Sequence, residues 1–323
     1  MGRVEWWYEI DPGFVAPADL LDMTFPTEIA GYAVTIQMPS MRGTEGTEPV
    51  WNLGAPRLAG RPQTDGDRDW GMVHMFGPTG PEGVVVSCLG FTAELPDHVD
   101  TQPIADVMDS WWESVSAWLE IVTGQQLTRV GHHRTEYIGN KTPIWPLNDD
   151  GSHGLPFPYV GTTTVVTGLT VPGVTADVFG GSVALADQQP APAWMLLRDA
   201  RALRSAGQYR RGVIDAATAA ELAVADLLSV RLQGCDPEVR KALLDSARML
   251  GTKGQLLTKL GCPNLPQAFV PDLVEPRKAA VHMGHTVTPG DCDKAIALAA
   301  EVVERAFPLP TPAGASQSLQ RLW

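Results

Sequence analysis

A chain of 323 residues, 44% hydrophobic and 19% charged, is long enough for two domains and apolar enough to bury a core in each. No apolar run reaches the roughly 18–20 residues of a membrane helix, and Met1–Trp7 shows no basic-then-apolar signal pattern. Cys88, Cys235, Cys262 and Cys292 lie far apart, which excludes a disulfide framework or a CxxC zinc site and predicts a reducing, cytoplasmic setting.

The net charge of −13 is unevenly placed: residues 1–190 carry 8 Lys+Arg against 24 Asp+Glu, whereas residues 191–310 carry 15 against 13. The overall charge at first argues against nucleic acid, but the acidity belongs to the first part, whose partner is a basic protein or none, and the second part is close to neutral.

In chain order, Tyr32, Val34, Ile36 and Met38 alternate as a half-buried strand does. Trp70–Phe76 and Val84–Phe91 are short apolar runs joined by the Gly/Pro-rich turn Gly77–Gly83, a predicted hairpin. A helix is expected from Pro103 to Val122, with Ile104, Val107, Met108, Trp111, Val115, Trp118, Leu119 and Val122 on one stripe. Lys141–Tyr159, full of Pro, Gly and Asn, reads as a long loop. Gly161–Val171 and Thr175–Phe179 continue the β character. Eight of the ten tryptophans precede residue 190, as fillers of a β-rich core.

The composition changes after the short linker Gln188–Ala193. Predicted helices follow at Trp194–Ala206, ended by Gly207, and at Tyr209–Gln233, ended by Gly234. A third starts at Asp236-Pro237 with the aspartate as N-cap, and a shorter one covers Gly254–Leu260. Another begins near Pro276, and the last runs from the capping-box spacing Thr288–Asp291 to Phe307. Residues 308–323 are expected to be disordered, with Trp323 the residue able to dock. The fold class is thus α+β in two domains: a β-rich acidic domain over 1–187 with one amphipathic helix, then a helical bundle over 194–307.

The chemistry concentrates in Glu275-Pro-Arg-Lys-Ala-Ala-Val-His-Met-Gly-His285. A proline at a helix start places Arg277 and Lys278 in the first turn, where free N–H groups favour an anion. His282 follows Arg277 by five residues, about 140° round an α-helix, yet the long arginine can share a groove with it. Arginine is a permanent bidentate phosphate donor, and histidine exchanges protons near neutrality.

Arg277 and His282 at this spacing, at the head of a late helix in an all-α bundle with a long second helix, resemble the HEPN superfamily over residues 194–307. Members of that family are helical domains, many of them metal-independent ribonucleases of toxin–antitoxin, anti-phage and RNA-processing systems. The resemblance implies a homodimer that brings two arginine–histidine pairs into one cleft. It also implies an RNA substrate attacked by its own 2′-hydroxyl, with no metal and no cofactor. By that analogy His282 moves the proton and Arg277 stabilises the charged transition state. The residue after the family's arginine is commonly polar and uncharged, whereas here it is Lys278, either an extra phosphate contact or the mark of a domain that no longer cleaves.

Glu221 falls on the stripe Ile214, Ala217, Thr218, Ala225 and Leu228 and is expected to face the bundle core. It either orients Arg277 or His282 or merely ties the bundle together. His285 is a candidate for the same site or a solvated turn residue; Arg210 and Arg211 are expected to be solvated. His74, His98, His132, His133 and His153 have no metal-site spacing, and no GxSxG, G-x4-GK[ST] or GxGxxG motif is present. The expected function is therefore a HEPN-type endoribonuclease with a sensing or regulatory N-terminal domain and a possible regulatory protein partner. A non-catalytic module for dimerisation or for protein or nucleotide binding is the alternative.

Overall fold

The computed structural model describes residues 2–41, 52–56, 68–77, 80–96, 101–127, 172–262, 265–283, 286–312 and 318–323. Strands β1 (Gly2–Pro17), β2 (Thr24–Ile29), β3 (Tyr32–Gln37), β4 (Ser40–Met41), β5 (Leu53–Gly54), β6 (Gly71–Gly77) and β7 (Gly80–Leu95) come first. Helices α1 (Gln102–Thr123) and α2 (Ala176–Ala184) follow, and then α3 (Pro192–Ser205), α4 (Tyr209–Arg231), α5 (Pro237–Ser246), α6 (Leu250–Lys259), α7 (Glu275–Lys278) and α8 (Pro289–Ala306).

The expected α+β arrangement holds: a sheet region precedes a run of helices. The main sheet is antiparallel and centred on β7. One edge of β7 pairs along β1, and the other pairs with β6 in its first half and β3 in its second. The predicted β6–β7 hairpin and strand β3 are both present. One expectation fails: Ala176–Phe179 opens helix α2 instead of a strand, with Thr175 as its N-cap accepting from the Val178 N–H and Phe179 packed against Phe14 and Phe25. Residues 161–171 and the loop 141–159 lie outside the described residues.

Buried side chains form two cores. In the first, Phe91 stacks on Trp6 and meets the edge of Trp111, joining the sheet to α1. The second lies among α3, α4, α6 and α8 and is rich in alanine, including Ala216, Ala217, Ala220, Ala295 and Ala299. Small side chains allow close helix approach: a Cβ on Gly212 of α4 would stand 2.8 Å from the Cys292 Sγ of α8. Helix α1 serves both cores, giving Val115, Leu119 and Val122 to the first and Trp118 and Ile121 to the second. Its buried Glu120 lies 3.4 Å from Arg198 of α3.

The C-terminal residues correct a second expectation. Rather than being disordered, residues 318–323 lie against the end of α1, whose last carbonyls have no partner within the helix, and Trp323 docks there as the sequence allowed. The Trp323 indole N–H donates to the Ile121 carbonyl at 2.8 Å, and the Leu322 N–H to that of Val122 at 2.9 Å. The Arg201 guanidinium sits 3.7 Å from the Trp323 ring centroid and against Gly124, whose positive φ of 72° ends α1. Burial, and then the like charge of Arg321, draw the Arg201 pKa down to about 9. The ring face and the negative end of α1 offset part of that cost. No helix among the described residues is long and apolar enough to cross a membrane.

Candidate functional site

The segment carrying Arg277 does not begin at Pro276. Helical turns start at Val270 and continue to Met283, and Arg277 lies well inside the run. Pro276 has no N–H to give to the Asp272 carbonyl, and its ring crowds an α turn. The backbone answers by widening: the Glu275 N–H bonds back to the Val270 carbonyl, a π turn. A second π stretch spans Ala279–Met283, so the short α7 is bracketed by two wide turns. Arg277 and Lys278 are thus not on a free helix N-terminus, which removes the expected first-turn anion site. The same widening brings positions 277 and 282 closer round the axis than the 140° of a pure α-helix.

Arg277 is held from α4. Its Nη2 lies 3.2 Å from the Glu221 Oε2. The other carboxylate oxygen, Oε1, accepts from the Lys253 Nζ of α6 at 2.8 Å. The side chains of Arg277, Glu221 and Lys253 are 28%, 21% and 20% exposed, so the cluster is dry enough for strong pairing yet open to solvent. Glu221 is therefore on the margin of the bundle, not in its core: Ala217 and Leu228 of the expected stripe are buried, but Ile214, Thr218 and Ala225 are half-buried. The buried Arg277 Nε makes no hydrogen bond among the described residues. One carboxylate against two cations leaves the cluster with an excess positive charge.

Local packing sets these positions. Gly254 lies where a Cβ would meet the Phe269 ring at 2.9 Å and the Leu265 Cδ1 at 3.0 Å, and one on Gly251 would be 3.4 Å from the Val274 Cγ1. These glycines let α6 close on the segment before Arg277. From the head of α4, the Arg210 Nε donates to the Ala280 carbonyl at 2.7 Å, tying down the second π stretch. Arg210 is exposed, as expected from its place at a helix start, and in addition braces that stretch. Lys253 and this bracing role escaped the sequence reading, although Gly251 and Gly254, one turn apart, flagged a close approach.

Lys278 is 60% exposed and lies 3.7 Å from Glu275 on its own turn. The backbone of His282 belongs to the second π stretch, while its side chain and all of His285 lie outside the described residues. Of the N-terminal histidines only His74, exposed on β6, is described. Among the described residues no three His, Cys, Asp or Glu converge as metal ligands. The structure therefore joins Arg277 to Glu221 and adds Lys253. No family model, curated protein or solved structure matches this chain.

Proposed function

We infer that the helical part is a metal-independent endoribonuclease of the HEPN type that works as a homodimer, with the sheet domain as its regulator. The observation that carries this reading is the Arg277 guanidinium: half-buried, held by Glu221, and placed between two π turns on the segment that bears His282. Such turns are rare and frequent at functional sites, and a fixed, partly desolvated arginine is suited to stabilising developing phosphate charge.

In this reading the RNA 2′-hydroxyl gives up its proton and attacks the adjacent phosphorus. The bond to the 5′-oxygen breaks and that oxygen takes a proton, leaving a 2′,3′-cyclic phosphate and a 5′-hydroxyl. Arg277 neutralises the charge on the five-coordinate phosphorus, Glu221 fixes the guanidinium, and His282 exchanges the proton. Lys278, exposed beside Arg277, is an additional contact for the strand. A role in anti-phage defence or a toxin–antitoxin pair, with a protein partner restraining the enzyme, accords with this reading.

The second reading is a non-catalytic module for dimerisation or binding. It is favoured by the pairing of both Arg277 and Lys253 with one carboxylate, the pattern of a structural tie. Incubation with single-stranded RNA and tRNA in EDTA separates the two. Cuts bearing cyclic-phosphate ends support the nuclease, and intact RNA supports the module.

A further inference from the structure

We propose that Lys253 is a second phosphate-binding cation of the Arg277 site, and that Glu221 positions both cations for neighbouring phosphates of one RNA strand. The proposal rests on the reading of Arg277 as the residue that meets RNA, and it adds a residue from a different helix.

Three observations carry it. First, Glu221 uses one carboxylate oxygen for each cation, which holds the Lys253 ammonium and the Arg277 guanidinium side by side rather than apart in solvent. Second, Lys253 is in the first turn of α6, the positive end of that helix, where the macrodipole disfavours a cation. Its position is explained by what it faces, not by the helix that carries it. Third, Gly251 and Gly254 bring this turn of α6 against Phe269–Val274, the run leading to Arg277; larger residues would push Lys253 off Glu221.

The chemistry follows from the charge count. A lone Arg–Glu pair is neutral and offers a phosphate little. With Lys253 added, the cluster keeps one positive charge. Lysine acts on phosphate as a point charge, arginine as a directional fork. The site therefore suits two adjacent phosphodiesters: the arginine on the one that reacts, the lysine on its neighbour. Contacts of this kind recognise the backbone and are indifferent to base sequence.

The test measures binding of the full-length protein to a fluorescein-labelled 2′-O-methyl oligouridylate, which has no 2′-hydroxyl to attack, across a range of salt in EDTA. Each phosphate contact on a single strand contributes about 0.7 to the slope of log K against log salt. Lys253→Met is expected to lower the slope by about that amount, Arg277→Met likewise, and Lys253→Arg to restore it. Glu221→Gln keeps both cations; it is expected to retain the slope while lowering kcat, more than raising KM, on the unmodified RNA. Melting curves of each variant separate loss of contact from loss of fold.

An unchanged slope and affinity in Lys253→Met, with wild type binding normally, overturns the proposal and leaves the Arg277 reading intact. Wild type that does not bind the oligonucleotide overturns both. Binding that depends on Lys253, without cleavage of unmodified RNA, upholds the phosphate site and removes the nuclease.

Discussion

Replacing Trp323 with alanine tests whether the C-terminal residues hold the two cores together. The indole N–H caps the Ile121 carbonyl at the end of α1, and its ring lies 3.7 Å from the Arg201 guanidinium. Loss of the hydrogen bond strands a carbonyl at a cost of about 1–3 kcal/mol. Loss of the cation–π contact removes about 0.5–2 kcal/mol more, since the buried Arg201 Nη1 has no hydrogen-bond partner among the described residues. The sum, about 1.5–5 kcal/mol, corresponds to a fall in Tm of roughly 3–10 °C at about 2 °C per kcal/mol for a chain of this size. Trp323→Phe keeps a ring over Arg201 and loses only the N–H, so it is expected to cost about 1 kcal/mol. Thermal and urea unfolding of wild type and both variants give these values. A Trp323→Ala protein that melts within about 1 °C of wild type would refute the docking of the tail and its role at α1.

Two further outcomes follow from packing in the two cores. Gly212→Ala places a Cβ 2.8 Å from the Cys292 Sγ and 3.1 Å from the Ala200 carbonyl. Overpacking of about 1–3 kcal/mol, less about 1 kcal/mol returned by helix propensity, leaves a net loss near 1 kcal/mol. Adding Cys292→Ala opens the space, so a double-mutant cycle is expected to show about 1 kcal/mol of coupling; additivity within about 0.5 kcal/mol contradicts the contact. Burial, first among the causes, pushes the Cys88 and Cys292 thiols up to about 12. At neutral pH the exposed Cys235 is therefore expected to react quickly with a disulfide reagent, Cys88 and Cys292 only after denaturation. Because the folded values are raised, the stability linked to these thiols is intact below their ordinary 9.0 and falls as pH climbs toward 12. Rapid titration of all four thiols in the native protein counts against the packing.

Periodic features were legible in the sequence. The apolar stripe of α1 and the capping signals of α5 and α8 appear where expected: Asp236 accepts from the Glu238 and Val239 N–H groups, and Thr288 reciprocates with Asp291. Strand β1 was missed, since Asp11 and Pro12 interrupt its alternation and the pairing shifts register there. Helix α2 was misread because Val and Phe favour strands locally, while its aromatic packing partners lie over 150 residues away. At the site, Arg277 and Glu221 could be named from chemistry and periodicity. The π turns could not, because Pro276 at a helix start and Pro276 inside a widened helix look alike in a sequence. Lys253 was hidden for a different reason: its meaning comes from Glu221, 32 residues earlier, and no local pattern records that pair.

The central claim is that Arg277 and His282 cleave RNA without a metal. Its most direct test compares cleavage of labelled single-stranded RNA and tRNA in EDTA by the full-length wild type, Arg277→Ala and His282→Ala. The account predicts cyclic-phosphate products from wild type and a loss of about a hundredfold or more in each variant, with melting temperatures close to wild type. Intact RNA with the wild-type protein, or cutting by both variants at the wild-type rate, would contradict it.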